Sequence, residues 1–420
     1  MKRLCIVTST FPRWPDDAIP AFVYHLAQDL GDLGWEVEVL APHAPGAATS
    51  ETMDGIHVTR FRYMWPEALE TVAYGSGVIA NLRKHPTDIL KLPLFLVCQW
   101  LALRRLLRRG RFDVLNAHWV LPQGLIGVLA AWETAIPTVI TVHGGDVMGL
   151  RGSLMGQSHR CGLTGALRRA AFSRAAAITV NSSATEDAAR VNTGAMDRIV
   201  RIPMGATLTA PRPTIDEAAL AWRQRCNCAN DGQLVVFVGR LLVEKGVDDL
   251  IRAMALVARD LPDIRLLVVG NGQDRGYFED LARQLDVAKR VYFAGWLGPE
   301  GLADVLAAAD IFAGPSKTRS DGWVEGLGLT FVEAMLAGLP VIATRSGGIV
   351  DLITEGKTGL TVAENDPEGI AEAIGRIIDD PGLRQRLAAN GKAHALAGFT
   401  RAVAAEKFDA LFSELAARQQ

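Results

Sequence analysis

Apolar residues in this chain fall into short unbroken runs, separated by stretches where they recur every three or four positions. The first run, Arg3–Ser9, is of the continuous kind expected of a strand buried on both faces of a parallel sheet. Pro20 then reads as the first residue of a helix that runs to about Leu33 and is ended by Gly34. Strands are expected at Glu36–Leu40 and Ile56–Phe61, and residues 64–110 read as mostly helical. Asp113–His118, Thr138–His143 and Ala177–Asn181 are three more apolar strands with helical segments between them. Strands alternating with helices predict a doubly wound α/β domain over residues 1–205.

Residues 206–216 carry two prolines and no apolar period, which reads as a linker. The pattern restarts with a helix near Ala218–Arg225. Strands are expected at Leu234–Val238, Arg265–Val269, Val291–Ala294, Asp310–Ala313, Pro340–Ala343 and Leu360–Val362. Helices are expected at Val247–Arg259, Gly276–Leu285, Leu302–Ala308, Phe331–Ala337 and Glu368–Ile378. This is a second α/β domain over residues 217–398, and the absence of a fixed period excludes a repeat array. The tail, residues 399–420, holds an amphipathic helix with Phe408, Leu411, Phe412 and Leu415 on one stripe. Two such domains in tandem are expected to form a cleft, with ligands bound beyond the carboxyl ends of the strands.

Bulk composition changes this picture little. At 420 residues the chain is too long for one core, and 49% apolar with 21% charged residues is ordinary for a soluble protein. A formal net charge of −2 argues against a dedicated nucleic-acid binder. The five cysteines are scattered, and Cys226 and Cys228 enclose one residue, not the two of redox and zinc motifs, so a reduced cytoplasm is expected. The N-terminal apolar run is too short for a signal peptide, and Leu92–Leu103 falls short of the ~20 residues of a membrane span.

The candidate chemistry centres on Glu325-Gly-Leu-Gly-Leu-Thr-Phe-Val-Glu333-Ala. Gly326 and Gly328 sit where loop turns into helix. A helix starting near Thr330 would aim unpaired N–H groups and its positive dipole end at an anion above Gly326–Gly328. Glu325 would stand in the loop and Glu333 in the first helical turn, gripping different parts of one ligand. The plainer reading is a glycine-bearing turn with an acidic helix start. Strand Leu234–Val238 leads into Arg240 and Lys245 just before a helix, where the dipole repels cations. A diphosphate would explain both; two surface cations, with Lys245 paired to Glu244, is the alternative. Gly270 and Gly272 end the next strand in a weak glycine motif. Trp296 and Leu297 end another, in a turn that either meets a base edge or packs in the core. His118 and His143 close strands in the first half, and two glycines after His143 precede Asp146, which could cap a following helix.

Together these residues resemble the family-4 glycosyltransferases, retaining enzymes of the GT-B fold. The resemblance rests on Gly239-Arg-Leu-Leu-Val-Glu-Lys-Gly246, Gly270-Asn-Gly272, the Glu325–Met335 stretch, Gly338–Thr344, Ser346–Ile353 and Gly356–Leu360. It implies two Rossmann-like domains facing across a cleft, with the C-terminal helix returning to the first. It implies a nucleotide-diphospho sugar, UDP- or GDP-linked, bound mainly by the second domain. Arg240 and Lys245 would hold the diphosphate, Glu333 the ribose hydroxyls and Glu325 a hydroxyl of the donor sugar. Backbone at Gly326, Leu327, Gly328 and Leu329 would meet sugar and phosphate, with Gly270, Gly272, Trp296 and Leu297 completing the donor site. His143 would reach the donor sugar from the first domain, and His118, His143 and Asp146 are the acceptor-side candidates. The implied reaction transfers a hexosyl group to a saccharide or lipid-linked acceptor of cell-surface polysaccharide or glycolipid synthesis, with no cofactor and no metal. The chain departs from the family in carrying Asp16-Asp-Ala-Ile-Pro-Ala21 where many members have paired glycines, and Pro203-Met-Gly-Ala-Thr207 before the linker.

Rival readings remain: a nucleotide-sugar epimerase of similar architecture, a non-catalytic nucleotide-sugar binder, and a glycoside hydrolase. The last needs one protonated carboxyl, whereas Glu333 at a helix N-terminus is expected to be ionised. Residues 90–111, apolar and then basic, read either as an anchor on an anionic membrane surface or as a core helix with a solvated basic end. The insert Ser320-Asp-Gly-Trp323 either shapes the sugar or acceptor pocket or is a surface loop.

Overall fold

A computed structural model describes residues 2–14, 17, 21–74, 78, 81, 85–148, 162–193, 196–206, 215–229 and 231–418. Pro20 and the linker stretch 207–214 lie outside these, as does most of the Asp16–Ala21 departure. The chain divides into two compact units, residues 1–204 with 401–420, and residues 205–400.

The first unit contains β1 (Lys2–Val7), β2 (Trp35–Pro42), β3 (Ser50–Met53), β4 (Ile56–Phe61), β5 (Val114–His118), β6 (Thr138–Val142), β7 (Ala177–Val180) and β8 (Ile199–Arg201). They form one sheet in the order β3-β4-β2-β1-β5-β6-β7-β8, parallel except that β3 runs antiparallel to β4. Leu4, Cys5, Ile6 and Val7 are all fully buried, as an unbroken apolar run in a central parallel strand requires. The first helix, Phe22–Asp32, buries Val23, Leu26, Ala27 and Leu30. The C-terminal helix, Arg401–Ala417, packs against it. Phe408 and Phe412 are fully buried, Trp35 meets Phe412 edge-on at 6.0 Å, and Arg401 grips both oxygens of Asp29.

The helical expectation for residues 64–110 holds only in part. Leu92–Arg109 is an α-helix; before it, among the described residues, Glu67–Leu69 and Pro86–Lys91 are short 3₁₀ turns and Val78 and Asn81 are helical, while residues 75–77, 79–80 and 82–84 lie outside the described part. Buried Glu70 organises the start of that stretch. Its carboxylate pairs with His43 Nδ1 at 2.5 Å and accepts from Arg62 Nε and the Tyr63 N–H, both at 3.0 Å. A side chain that collects backbone and side-chain donors offers the chain an alternative to helix.

The second unit contains β9 (Leu234–Val238), β10 (Arg265–Val269), β11 (Val291–Gly295), β12 (Ile311–Gly314), β13 (Val341–Thr344) and β14 (Leu360–Val362). All pairs are parallel, in the order β11-β10-β9-β12-β13-β14. Side chains alternate between two cores: Leu234 and Val236 enter one, Val235 and Phe237 the other. The order has a consequence for function. From β9 the chain proceeds to β10 and β11 on one side, then crosses back to place β12 on the other. The carboxyl ends of β9 and β12 therefore flank a topological switch point, where open α/β sheets bind ligands.

Candidate active site

The β9 side of the switch point supplies cations. Arg240 follows the strand and is exposed, and its guanidinium has no hydrogen bond or ion pair with another described residue. Lys245 lies in the 3₁₀ turn Val243–Lys245, just before the helix Val247–Val257. It does not pair with Glu244, which takes Arg319 at 3.3 Å. Its ammonium instead meets Glu325 Oε2 at 2.5 Å, and the two side chains are only 13% and 14% exposed.

The β12 side supplies carboxylates. After Gly314 the chain loops out and returns so that Glu325 faces Lys245, with Ser316 Oγ 3.4 Å from the same carboxylate oxygen. Burial pushes the Glu325 carboxyl up. The Lys245 ammonium, the Arg240 charge and the Gly326 N–H together outweigh burial and hold it below the ordinary carboxylate range. Its backbone is fixed as well, because Gly348 N–H donates to the Glu325 carbonyl at 2.9 Å. Gly347 permits that approach: its φ is +53°, and a Cβ there would lie 2.2 Å from the Glu325 oxygen.

Helix Leu329–Leu336 begins with Gly328 in the left-handed region (φ 84°) and no side-chain cap. Its first N–H groups are open to a ligand acceptor. Glu333 corrects the expectation drawn from sequence. With the helix starting at Leu329, it falls in the second turn, beyond the donors that would hold it ionised. Burial pushes its carboxyl up to about 7, and no described residue bonds that carboxyl. Glu325 and Glu333 are thus opposite in character, one a held anion and the other poised to titrate near neutrality.

The remaining donor-site candidates separate into structural and accessible groups. Gly270 N–H is bonded to the Gly295 carbonyl at 2.8 Å, and a Cβ on Gly272 would lie 2.1 Å from the Leu241 oxygen, so both serve close chain packing. Trp296 is 57% exposed, against the core alternative, whereas Leu297 packs on the core. Sequence reasoning passed over two further groups here: Ser316, on the Glu325 carboxylate, and Trp323, whose ring centroid lies 5.0 Å from Lys245 Nζ. Trp323 stood in the insert flagged as pocket or surface loop; Ser316 carried no signal.

In the first unit, β5 and β6 end side by side and bring His118 and His143 together. Their Nδ1 and Nε2 atoms are 2.9 Å apart and the rings are stacked, with an interplanar angle of 12°. Phe22 and Trp119 crowd His143 at 4.8 and 4.9 Å. Burial lowers both imidazoles, His143 to about 3, so each is neutral at physiological pH. Asp146 ties the two strand exits together, accepting from Val120 N–H at 3.0 Å and His143 N–H at 3.2 Å. Burial pushes it up to about 6 against those donors. Residues 149–161, where a helix after Asp146 would begin, lie outside the described part.

Comparison with known proteins points to one family. The family model described as glycosyl transferase 4-like domain matches residues 18–205, and the model for glycosyl transferases group 1 matches residues 220–394. A GDP-mannose-dependent alpha-(1-6)-phosphatidylinositol monomannoside mannosyltransferase of Mycolicibacterium smegmatis is 33% identical over 311 residues, 74% of this chain and 77% of that protein. A GDP-mannose-dependent monoacylated alpha-(1-6)-phosphatidylinositol monomannoside mannosyltransferase of Corynebacterium glutamicum is 36% identical over 209 residues, 49% of this chain and 54% of its own. This chain therefore spans about half the length of the latter. Among solved structures, sucrose-phosphate synthase from Thermosynechococcus elongatus superposes with a TM-score of 0.76 at 22% identity, covering 100% of both chains.

Proposed function

This chain belongs to the glycosyl transferases group 1 family, with the GT-B fold and a nucleotide sugar as donor, and on that premise we propose that it is a retaining hexosyltransferase acting on a lipid-linked or saccharide acceptor. One observation carries the reading. Arg240 and Lys245 after β9, and Glu325 after β12, flank one switch point, beside a helix whose first N–H groups are uncapped.

The chemistry follows from charge. As the bond from the anomeric carbon to phosphate lengthens, the sugar gains oxocarbenium character and negative charge gathers on the departing diphosphate. Arg240, Lys245 and the start of helix Leu329–Leu336 stabilise that charge with no reorganisation at the moment of reaction. The two carboxyls flank the diphosphate without attracting it. Glu325, held ionised, accepts from a hydroxyl of the donor sugar. Glu333 accepts from the ribose hydroxyls, and does so best when ionised. In the first unit, neutral His143 is the acceptor-side candidate, with Asp146 fixing the strand exit that carries it.

The relatives named for GDP-mannose make that sugar the leading donor, with UDP-linked hexoses second. Their phosphatidylinositol mannoside acceptors support a cytoplasmic enzyme lying on the inner face of the cell membrane. Helix Leu92–Arg109 supports it too: its outer stripe is Leu94, Val97 and Leu101, then Arg105 and Arg108, all exposed, while Phe95, Leu103 and Leu107 face the core. Among the described residues no helix is long and apolar enough to cross a membrane.

Calorimetric binding across GDP-, UDP- and ADP-linked sugars, followed by product analysis with lipid-linked acceptors, tests the proposal. Binding of a nucleotide sugar and its acceptor-dependent turnover with the anomeric configuration kept is the expected result. Conversion of the nucleotide sugar without any acceptor would instead identify an epimerase.

A further inference from the structure

Lys245 faces two demands that conflict. It must stay fixed at the donor site in the absence of ligand, yet keep N–H donors free for a diphosphate. Glu325 takes one of its donors at 2.5 Å. A second carboxylate would hold the ammonium more firmly but would occupy another donor and repel the phosphates. An aromatic face does neither, since it attracts the cation through its quadrupole and accepts no conventional hydrogen bond.

Trp323 meets that requirement, and the loop carrying it is built to hold it there. Arg319 N–H donates to the Trp323 carbonyl at 2.9 Å, Gly322 N–H to the Arg319 carbonyl at 2.9 Å, and Trp323 N–H to Asp321 Oδ1 at 3.1 Å. The Arg319 guanidinium bonds Asp321 at 2.8 Å within this hairpin and Glu244 at 3.3 Å outside it. Lys317 N–H also reaches the Glu244 carbonyl at 2.8 Å. Glu244 is the chain neighbour of Lys245, so the hairpin is clamped to the very turn whose lysine the indole covers.

We infer that Trp323, carried on the Arg319–Trp323 hairpin, is a positioning residue that holds the Lys245 ammonium at the donor diphosphate. On donor binding, the ammonium turns a proton toward the phosphates while the ring keeps its position, and Glu325 is released to the sugar. The inference rests on the donor-site reading above and adds to it the element that sets donor affinity.

The test uses the full chain with UDP and GDP as probes, titrated into wild type, Trp323→Phe and Trp323→Leu, with thermal denaturation followed in parallel. Trp323→Leu keeps apolar bulk without a π face and is expected to weaken nucleotide binding about tenfold, whereas Trp323→Phe stays within about threefold. The KM for the nucleotide sugar should rise in the same order while kcat changes less. Indole emission should respond to nucleotide in wild type and lose that component in Trp323→Phe. Leu and Phe variants that bind alike, or an emission change that survives in Trp323→Phe, would overturn the role of Trp323 and leave the donor site standing. Absence of UDP and GDP binding by wild type would overturn both.

Discussion

Replacing Lys245 with alanine should do two separable things. The first is kinetic. A charged contact to the departing diphosphate is lost, and such contacts are typically worth about 1.5–3 kcal/mol, so kcat/KM should fall on the order of 10- to 100-fold. The second is a change in how stability depends on pH. In wild type the Glu325 carboxyl is pushed up by burial but carried below its ordinary value by Lys245, Arg240 and the Gly326 N–H. A depressed folded value means a stabilising contribution that is complete above the unfolded pKa and lost as pH falls through the folded one. Without Lys245, burial faces only the more distant Arg240 and one backbone donor, and the carboxyl moves above its ordinary value. The sign then reverses, and the variant loses stability as pH rises through the new, higher value. Removing one member of a fully buried pair costs about 3–5 kcal/mol, and an exposed pair contributes about 1 kcal/mol or less. With both side chains slightly exposed at 13% and 14%, a loss of about 2–3 kcal/mol near neutrality is expected. Denaturant unfolding of both proteins from about pH 4 to about pH 8, beside initial rates at saturating acceptor, measures both effects. Parallel stability curves, or a variant with wild-type kcat/KM, would refute the reasoning.

Four further outcomes are expected. Glu333→Gln should raise the stability of the ligand-free protein above pH 7 by on the order of 1 kcal/mol, because a carboxyl pushed up to about 7 is destabilising once ionised; wild-type stability should decline between the ordinary Glu value and pH 7, and the variant should not show that decline. GDP and UDP binding should strengthen as pH rises through about 7 in wild type and lose that dependence in Glu333→Gln, which calorimetry at several pH values would reveal. Gly347→Ala places a Cβ 2.2 Å from the Glu325 carbonyl oxygen, and should lower the unfolding free energy by about 2 kcal/mol or more, seen as a lower denaturation midpoint, while impairing nucleotide binding. Leu94→Asp with Leu101→Asp should abolish sedimentation with anionic vesicles at low salt and leave transfer to a water-soluble acceptor unchanged, since both side chains are about half exposed and neither lies in the core.

The sheets were largely legible in the chain because their central strands are buried on both faces, and uninterrupted runs such as Leu4–Val7 and Leu234–Val238 have few other uses. What escaped were elements whose burial is incomplete. Strand β3, Ser-Glu-Thr-Met, alternates exposed and partly buried at the sheet edge, and β8 is a three-residue edge strand with Arg201 in it. Helix Pro381–Gly398 runs through 18 residues but buries only Leu387, Gly391 and Ala395, a stripe too narrow and too small-sided to stand out; its start is marked by the Asp380 carboxylate accepting from Leu383 N–H. The non-helical chain around residues 62–70 escaped for a different reason. One buried carboxylate, Glu70, collects the donors there, and no local periodicity announces that.

Within the site, residue types were legible and their pairings were not. Lys245 and Glu325 are 80 positions apart, and nothing in the spacing of either indicates that they share a proton donor and acceptor at 2.5 Å. That pairing alters the meaning of the two glutamates. Both were expected to be anions grasping hydroxyls, and the helix start was expected to keep Glu333 charged. In the folded chain the charge is divided: Glu325 is an anion because cations from β9 reach it, and Glu333 sits a turn too deep in an apolar helix to be held as one. In this arrangement Lys245 is paired with Glu325, while the Arg240 guanidinium makes no ion pair with another described residue and acts on Glu325 only at longer range. Under the proposed function, a diphosphate would reverse the arrangement, drawing Lys245 from Glu325 and joining Arg240. Donor binding would then convert Glu325 from the partner of a lysine into a free acceptor for the sugar, coupling release of the sugar-binding carboxylate to arrival of the phosphates.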